Sequence, residues 1–237
     1  MKFSAQIIAH PMKLLINRIV DLVYPPACLV CEQRLDITEN QTCHQCLSNF
    51  TLLGKAHERF SVPGEIYLNT AWALFDFDPA FQSLIHHLKY SKRRKPILTV
   101  LNHYMHDIEA QLGGNHYDFI VSIPLHSRKL RERGYNQVDD MTDWFVDLLD
   151  AKNGNYLVKR KKYTQSQTKL TAAERQANVA QAFGVKKTND IIGKSFLLID
   201  DVLTTGATAN TLAQVLHAAK ASQIDLVTLS TPKHGNT

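Results

Sequence analysis

Outside one short stretch the chain has no cysteine: all four lie between Cys28 and Cys46, and nothing else in the 237 residues carries a thiol. That argues against a disulfide framework and for a local metal site in a reducing compartment. No apolar run approaches the ~20 residues of a membrane span, and there is no internal repeat or low-complexity run. A secretory signal is also missing. Met1 to Ile8 has one lysine and a short apolar stretch, but His10-Pro11 follows without a small-residue cleavage site. The reading is a cytoplasmic protein. No strong charge imbalance appears either: 27 Lys and Arg against 22 Asp and Glu leave a net +5, which permits an anionic partner without requiring one. What is present, 44% apolar and 21% charged residues, is ordinary globular composition. The length suits one α/β domain plus a small module.

Met12 to Tyr24 is amphipathic, with Leu15, Ile19, Leu22 and Val23 on one side and Lys13, Arg18 and Asp21 interspersed. Such a helix can lie on a membrane surface. Its few charges of mixed sign fit a helix packed on the domain better. Pro25-Pro26 ends it and opens a cysteine module spanning 25–60. Cys28-Leu29-Val30-Cys31 and Cys43-His44-Gln45-Cys46 are two C-x-x-C knuckles with eleven residues between them. Four soft ligands suit one tetrahedral Zn²⁺, and a full set leaves no open position, so the zinc is expected to be structural. The rival reading is a redox pair, but redox C-x-x-C motifs come singly in a βαβ context. His44 and His57 are available as substitute ligands, but the preferred reading of both is as ordinary polar residues.

From about residue 66 to 237 strands alternate with helices. Leu47 to Glu65 reads as a connection and Ile66 to Asp78 as a strand or hairpin. Phe81 to Tyr90 is helical, running into a basic patch, Lys89-Tyr90-Ser91-Lys92-Arg93-Arg94-Lys95. A helix is predicted from Pro96 to Leu112, stopped by Gly113-Gly114. Phe119 to Ile123 is a buried strand leading into a basic loop with Arg128, Lys129, Arg131 and Arg133. Asn136 to Leu149 is helical and Tyr156 to Val158 a short strand. Thr171-Ala172-Ala173-Glu174 has capping-box spacing, and Ile224 to Ser230 is the last strand. The alternation predicts an α/β fold: a mostly parallel, doubly wound sheet with right-handed crossovers.

Phe196 to Ala209, FLLIDDVLTTGATA, carries the chemistry. Four apolar residues read as a buried parallel strand. Asp200 and Asp201 follow, then a loop with Thr204, Thr205, Gly206, Ala207 and Thr208, then a helix with Leu212, Val215, Leu216 and Ala219 on one face. Loops at the carboxyl ends of such strands are where open α/β sheets bind ligands. Hydroxyls, a glycine and a helix N-terminus suit a phosphate. Two carboxylates do not; they accept from neutral hydroxyls or face a divalent cation held by the ligand. A 5-phosphorylated ribose satisfies both halves.

That stretch resembles the phosphoribosyl-pyrophosphate (PRPP) motif of type I phosphoribosyltransferases. The resemblance implies that the acids hold the ribose hydroxyls and the Thr/Gly loop the 5-phosphate. Further segments narrow it: Tyr24-Pro25-Pro26 before the first knuckle, His87-Leu88-Lys89-Tyr90, the run from Pro124 to Gln137, Thr164 with Gln167, Arg175, Asn178, and Ala182-Phe183. Together with the acid-pair loop, these are similar to the ComF/GntX family from about Leu14 to Ser230. That family joins a four-cysteine zinc module to a phosphoribosyltransferase-type domain. Its ComF members are tied to natural transformation, acting on the cytoplasmic side where single-stranded DNA emerges, with a helicase-like ATPase; GntX members carry a gluconate-related label. Arg128 and Lys129 stand where such domains keep the pyrophosphate loop, and guanidinium and ammonium groups suit that anion. Lys161, Lys162, Gln167 and Arg175 resemble the mobile hood that closes over PRPP.

Three functions remain open at this level. As an enzyme, the chain would displace pyrophosphate from C1 of ribose by a nitrogen nucleophile, Asp200 and Asp201 being catalytic, with Mg²⁺ bridging ligand oxygens and charge and geometry doing the work. No residue plainly recognises a base. As a binding protein, it would hold single-stranded DNA. Lys89, Tyr90, Lys92, Arg93, Arg94, Arg131 and Arg133 are the candidates, with Tyr135 and Tyr163 as further aromatic platforms beside basic groups. As an adaptor, its zinc module would dock a helicase-like ATPase, and membrane association at the inner face would come only through partners or the N-terminal helix.

Overall fold

The computed structural model describes residues 25–55, 62, 64–90, 95–125, 127–161 and 182–232. The helices expected over 12–24 and from Thr171 lie outside them. The chain divides into two compact units, Met1–Asn49 and Phe50–Thr237.

In the first unit, two tight turns bring the knuckles together. Cys28 donates its N–H to Gln33 O and Leu29 to Gln41 O, both at 2.8 Å. Glu32 and Gln41 take left-handed backbone, φ 61° and 65°. Short bridges join Ala27 to Arg34 and Asn40 to Thr42. One short helix follows, α1 (His44–Ser48), capped by the Cys43 side chain. Its buried cluster is small: Cys28, Leu35 and Cys43.

The second unit runs β1 (Leu52–Lys55), β2 (Ala71–Asp76), α2 (Pro79–Tyr90), α3 (Lys95–His103), α4 (Met105–Leu112), β3 (Phe119–Ser122), α5 (Ser127–Arg133), α6 (Asp139–Leu148), β4 (Lys152–Asn153), β5 (Val158–Arg160), β6 (Phe183–Val185), β7 (Ser195–Val202), α7 (Ala207–Ala218) and β8 (Gln223–Thr231). Six strands form one sheet in the order β1-β2-β8-β7-β3-β4, and β5 pairs with β6 in a separate small sheet. Only the β1–β2 pairing in the large sheet is antiparallel. The mostly parallel α/β sheet is therefore as expected. Strand alternation explains its burial. Phe196 and Leu198 join one core cluster with Leu212 and Leu216 of α7, while Leu197 and Ile199, at the intervening positions, are equally shut off from solvent. A parallel strand covered on both faces needs such a continuous apolar run.

Several expectations are corrected. The supposed connection after Leu47 contains β1, which among the described residues pairs with β2 alone at the edge of the sheet. The helix expected from Pro96 to Leu112 breaks at Tyr104, whose hydroxyl donates to Phe50 O at 2.8 Å and whose ring lies 5.2 Å from Phe75. The basic loop after β3 is helical over α5. A 3-10 turn occupies Asn155–Leu157, so β5 begins later than Tyr156. β7 continues through both acids to Val202, because Asp200 and Val202 still pair with Thr228 and Ser230 of β8.

Candidate functional site

The carboxyl edge of β7 sets the site. Leu203 donates its N–H to Ser230 O at 2.8 Å and is buried, which ties down the first residue past the strand. The chain then turns through Thr204 and Thr205 to Gly206, whose φ of 78° and ψ of 0° suit glycine and cap α7. Ala207 donates its N–H to Thr205 Oγ1 at 3.3 Å, beginning the helix. Asn210 anchors that first turn from outside, donating to Glu65 O at 2.9 Å and accepting from Tyr67 N at 2.7 Å. The turn encloses a crevice of ≈ 40 Å³ between Asp200, residues 202–209, and Leu226 and Thr228 of β8. A first water needs about 10–15 Å³, so the crevice has room for a small polar group.

The two acids do not share an environment. Successive strand residues face opposite sides of a sheet. Asp200 is half-buried, lines the crevice and accepts from Asp201 N at 2.9 Å. Asp201 is buried on the other side and accepts from Gln137 Nε2 at 2.8 Å. Gln137 is itself buried, and its Oε1 accepts from Arg133 Nη1 at 2.8 Å, which fixes the amide's orientation. Beneath, Asp139 accepts from Ser122 Oγ at 2.7 Å and Asn136 Nδ2 at 3.1 Å, and burial pushes its carboxyl above the usual range.

Sequence reasoning missed Gln137 and Arg160 as site residues. Arg160, at the end of β5, is half-buried, with its guanidinium carbon 5.2 Å from the centre of the Phe183 ring. Its Nη1 reaches Pro124 O at 3.5 Å, and its Nε is buried without a hydrogen-bond partner among the described residues. Burial pushes its pKa down, while the charge of Asp200 pulls it back up. The only signal in the sequence was its place in a basic run, which its neighbours share.

The other candidates are distributed differently. Lys129 and Arg131 are exposed on α5, and Arg128, also exposed, pairs with Glu132 at 3.0 Å. Arg133 is tied to Gln137, as above. Tyr135 is not a stacking platform: it is buried and donates its hydroxyl to Leu88 O at 2.6 Å. Lys161 is exposed just after β5. Lys162, Tyr163, Gln167, Arg175, Lys92, Arg93 and Arg94, and the side chains of Lys89 and Tyr90, lie outside the described residues.

In the first unit, the sulfur atoms of Cys28, Cys31, Cys43 and Cys46 all lie within 4.8 Å of one another, Cys31 and Cys43 at 3.7 Å. A tetrahedron with metal–sulfur bonds near 2.3 Å has edges of about 3.8 Å. Burial raises the Cys28 thiol, but N–H groups including those of Cys43 and Val30 outweigh it and hold the thiol at about 7. Burial pushes Cys43 and Cys46 up, and the neighbouring thiols add to it. Four thiolates so close need a cation, and the set can hold a metal ion such as zinc.

The profile of the phosphoribosyl transferase domain matches residues 92–236, more than half of the chain. The fold and this match define the class of the second unit. Relatives narrow it. The chain is 30% identical over 211 residues to the DNA utilization protein YhgH of Escherichia coli K12, covering 83% of this chain and 87% of that protein. It is 34% identical over 108 residues to competence protein F of Haemophilus influenzae, covering 45% of this chain and 47% of that protein. It is 32% identical over 114 residues to competence protein ComFC of Streptococcus pneumoniae, covering 48% and 47%. With the four-cysteine cluster ahead of the transferase-type domain, the chain belongs to the ComF family. None of its described helices is long and apolar enough to cross a membrane.

Proposed function

We propose that the second unit binds a 5-phosphorylated ribose, PRPP by its chemistry, and that the chain serves a ComF-type role in handling imported single-stranded DNA on the cytoplasmic side. The observation that carries the ligand reading is the crevice: small, rimmed by Thr204, Thr205 and Thr208, closed by Gly206 and the start of α7, with one carboxylate, Asp200, at its mouth. The 5-phosphate sits among the hydroxyls and helix N–H groups. Asp200 accepts from the ribose hydroxyls. Asp201 contributes by fixing the strand end through Gln137. Oxygen donors of this kind also suit Mg²⁺, which would offset the charge of the diphosphate. Arg128 and Lys129 approach that diphosphate from α5, and Lys161, Lys162, Gln167 and Arg175 are the closing segment.

The four sulfurs hold structural zinc, and this unit is the docking module for a helicase-like ATPase. Lys129 and Arg131 on α5, with the basic patch after α2, give single-stranded DNA a salt-sensitive contact. The relatives named for competence and DNA utilization support this role.

A thermal-shift titration tests the ligand. PRPP with Mg²⁺, and ribose 5-phosphate alone, should each raise the melting temperature in a dose-dependent way, as any ligand of the folded state does. Ribose, lacking the phosphate, should not. Equal shifts from all three, or none, would rule the reading out. Pyrophosphate release in the same mixture with a panel of bases tells whether PRPP is consumed.

A further inference from the structure

The small β5–β6 sheet has an unpaired side. In its ladder Lys161 donates its N–H to Ala182 O at 2.6 Å and Lys186 to Leu157 O at 2.7 Å, while Val158 stands opposite Val185 and Arg160 opposite Phe183. Antiparallel ladders alternate bonded and non-bonded pairs, so Phe183 and Val185 turn their backbone N–H and C=O groups away from β5. Phe183 is buried, but Val185 is only half-buried, and among the described residues its backbone groups have no hydrogen-bond partner. An edge of this kind is a template for another strand.

Val185 opens on a groove of ≈ 500 Å³, within the range of ligand pockets. Lys161, Gly184 and Val185 line one side of it, and Gln214, Val215 and Ala218 of α7 the other. The Lys161 side chain crosses Gly184, where any Cβ would collide with it. Past Thr188 a second hollow follows the turn from Lys187 to Asp190. An extended chain suits such a place: its backbone pairs with the strand edge, and alternate side chains fall between strand and helix.

Charge says which chain. Residues 158–161, 182–190 and 214–220, which border the groove, hold Arg160 and five lysines (Lys159, Lys161, Lys186, Lys187 and Lys220) against one acid, Asp190. A second copy of this protein would bring the same positive excess to the contact. Single-stranded DNA matches the charge, but no open ring lines the groove for a base to stack on, since Phe183 is buried. An acidic peptide meets both the cations and the strand edge.

We propose that the groove between β6 and α7 binds an extended acidic peptide of a partner protein, by strand addition at Val185 with small apolar side chains set against Val215 and Ala218. The groove shares no lining residue with the crevice at the end of β7, and the proposal does not rest on the phosphoribosyl reading.

Fluorescence anisotropy on the full chain tests it, with a labelled peptide alternating valine and aspartate. The peptide should bind saturably at one site per chain. The same peptide N-methylated at its valines keeps its charge but loses main-chain donors, and should bind about tenfold more weakly. Val185→Pro, which removes an outward N–H and spares the bonds to β5, should weaken the plain peptide by a similar factor. Ala218→Glu puts bulk and negative charge into the groove at an exposed helix position, and should do the same without lowering the melting temperature, so the test stands even where Val185→Pro fails to fold. No binding of the plain peptide overturns the proposal. Equal binding of the plain and N-methylated peptides reduces the contact to charge and overturns strand addition. Displacement of the peptide by an oligodeoxythymidylate that itself fails to bind Ala218→Glu would make the groove a nucleic-acid contact and overturn it too.

Discussion

Between Pro25 and Asn49 the buried cluster is Cys28, Leu35 and Cys43. From Phe50 on, a cluster of twenty buried residues spans β2, β3, β7, β8 and α7. The described part of the first unit, residues 25–49, has little apolar surface of its own and brings four sulfurs to one point. The second closes on its sheet, so residues at the sheet's carboxyl edge are released from holding the fold. That is why Asp200 can stand half-buried beside the crevice at the end of β7.

The sharpest test of this contrast is chelation. Removing the metal, or Cys28→Ser with Cys43→Ser, should unfold residues 25–49 outright, since structural zinc contributes ~10–16 kcal/mol in small modules. Limited proteolysis should then cut within that stretch while 64–232 keeps its sheet. Resistance of 25–49 after the metal is gone would break the comparison. Next in size is the second unit's own core. Phe196 is fully buried, its ring 5.4 Å from that of Phe119, so Phe196→Ala should cost about 3–5 kcal/mol by urea unfolding. Metal content should not change.

Smaller, but more telling, is the pair of adjacent acids. Asp201→Ala leaves the buried Gln137 amide without its acceptor and should cost about 1–3 kcal/mol. Asp200→Asn should shift stability by under about 1 kcal/mol and abolish ligand binding. The reverse pattern would put the folding and ligand-facing duties on the wrong acids. The smallest effect lies at the opposite end of β7. The hydrogen bond from Lys194 and those from Ser195 hold the Asp118 carboxyl down at about 2. A depressed carboxylate stabilises the fold above its unfolded value and loses that contribution as pH falls toward 2. Lys194 is exposed, so the gain is at most about 1 kcal/mol. Asp118→Asn should flatten the acid limb of stability between about pH 4 and 2 by that amount.

The central strands were readable because both faces are buried, and an apolar run such as Phe196 to Ile199 has few other uses. The cysteine knuckles were readable from spacing alone. α5 was not: SRKLRER buries no residue, so it has no apolar stripe to find. β1, β4 and β6 were missed because two to four residues at an edge or in a separate pair carry little pattern. The division between Asp200 and Asp201 depended on the strand running past Ile199, which β8 decides by pairing as far as Ser230. Arg160 could not be told from Lys159 and Lys161, since only its pairing with Phe183 across the β5–β6 ladder buries it.

The direct measurement is isothermal calorimetry of ribose 5-phosphate into the unsubstituted chain and into Gly206→Val, whose side chain at φ 78° is strained and crowds the crevice. Saturable heat at one site per chain, lost in Gly206→Val while the zinc content holds, is the expected result. No heat from the unsubstituted chain, or the same heat from both, would contradict a phosphate seat at the end of β7.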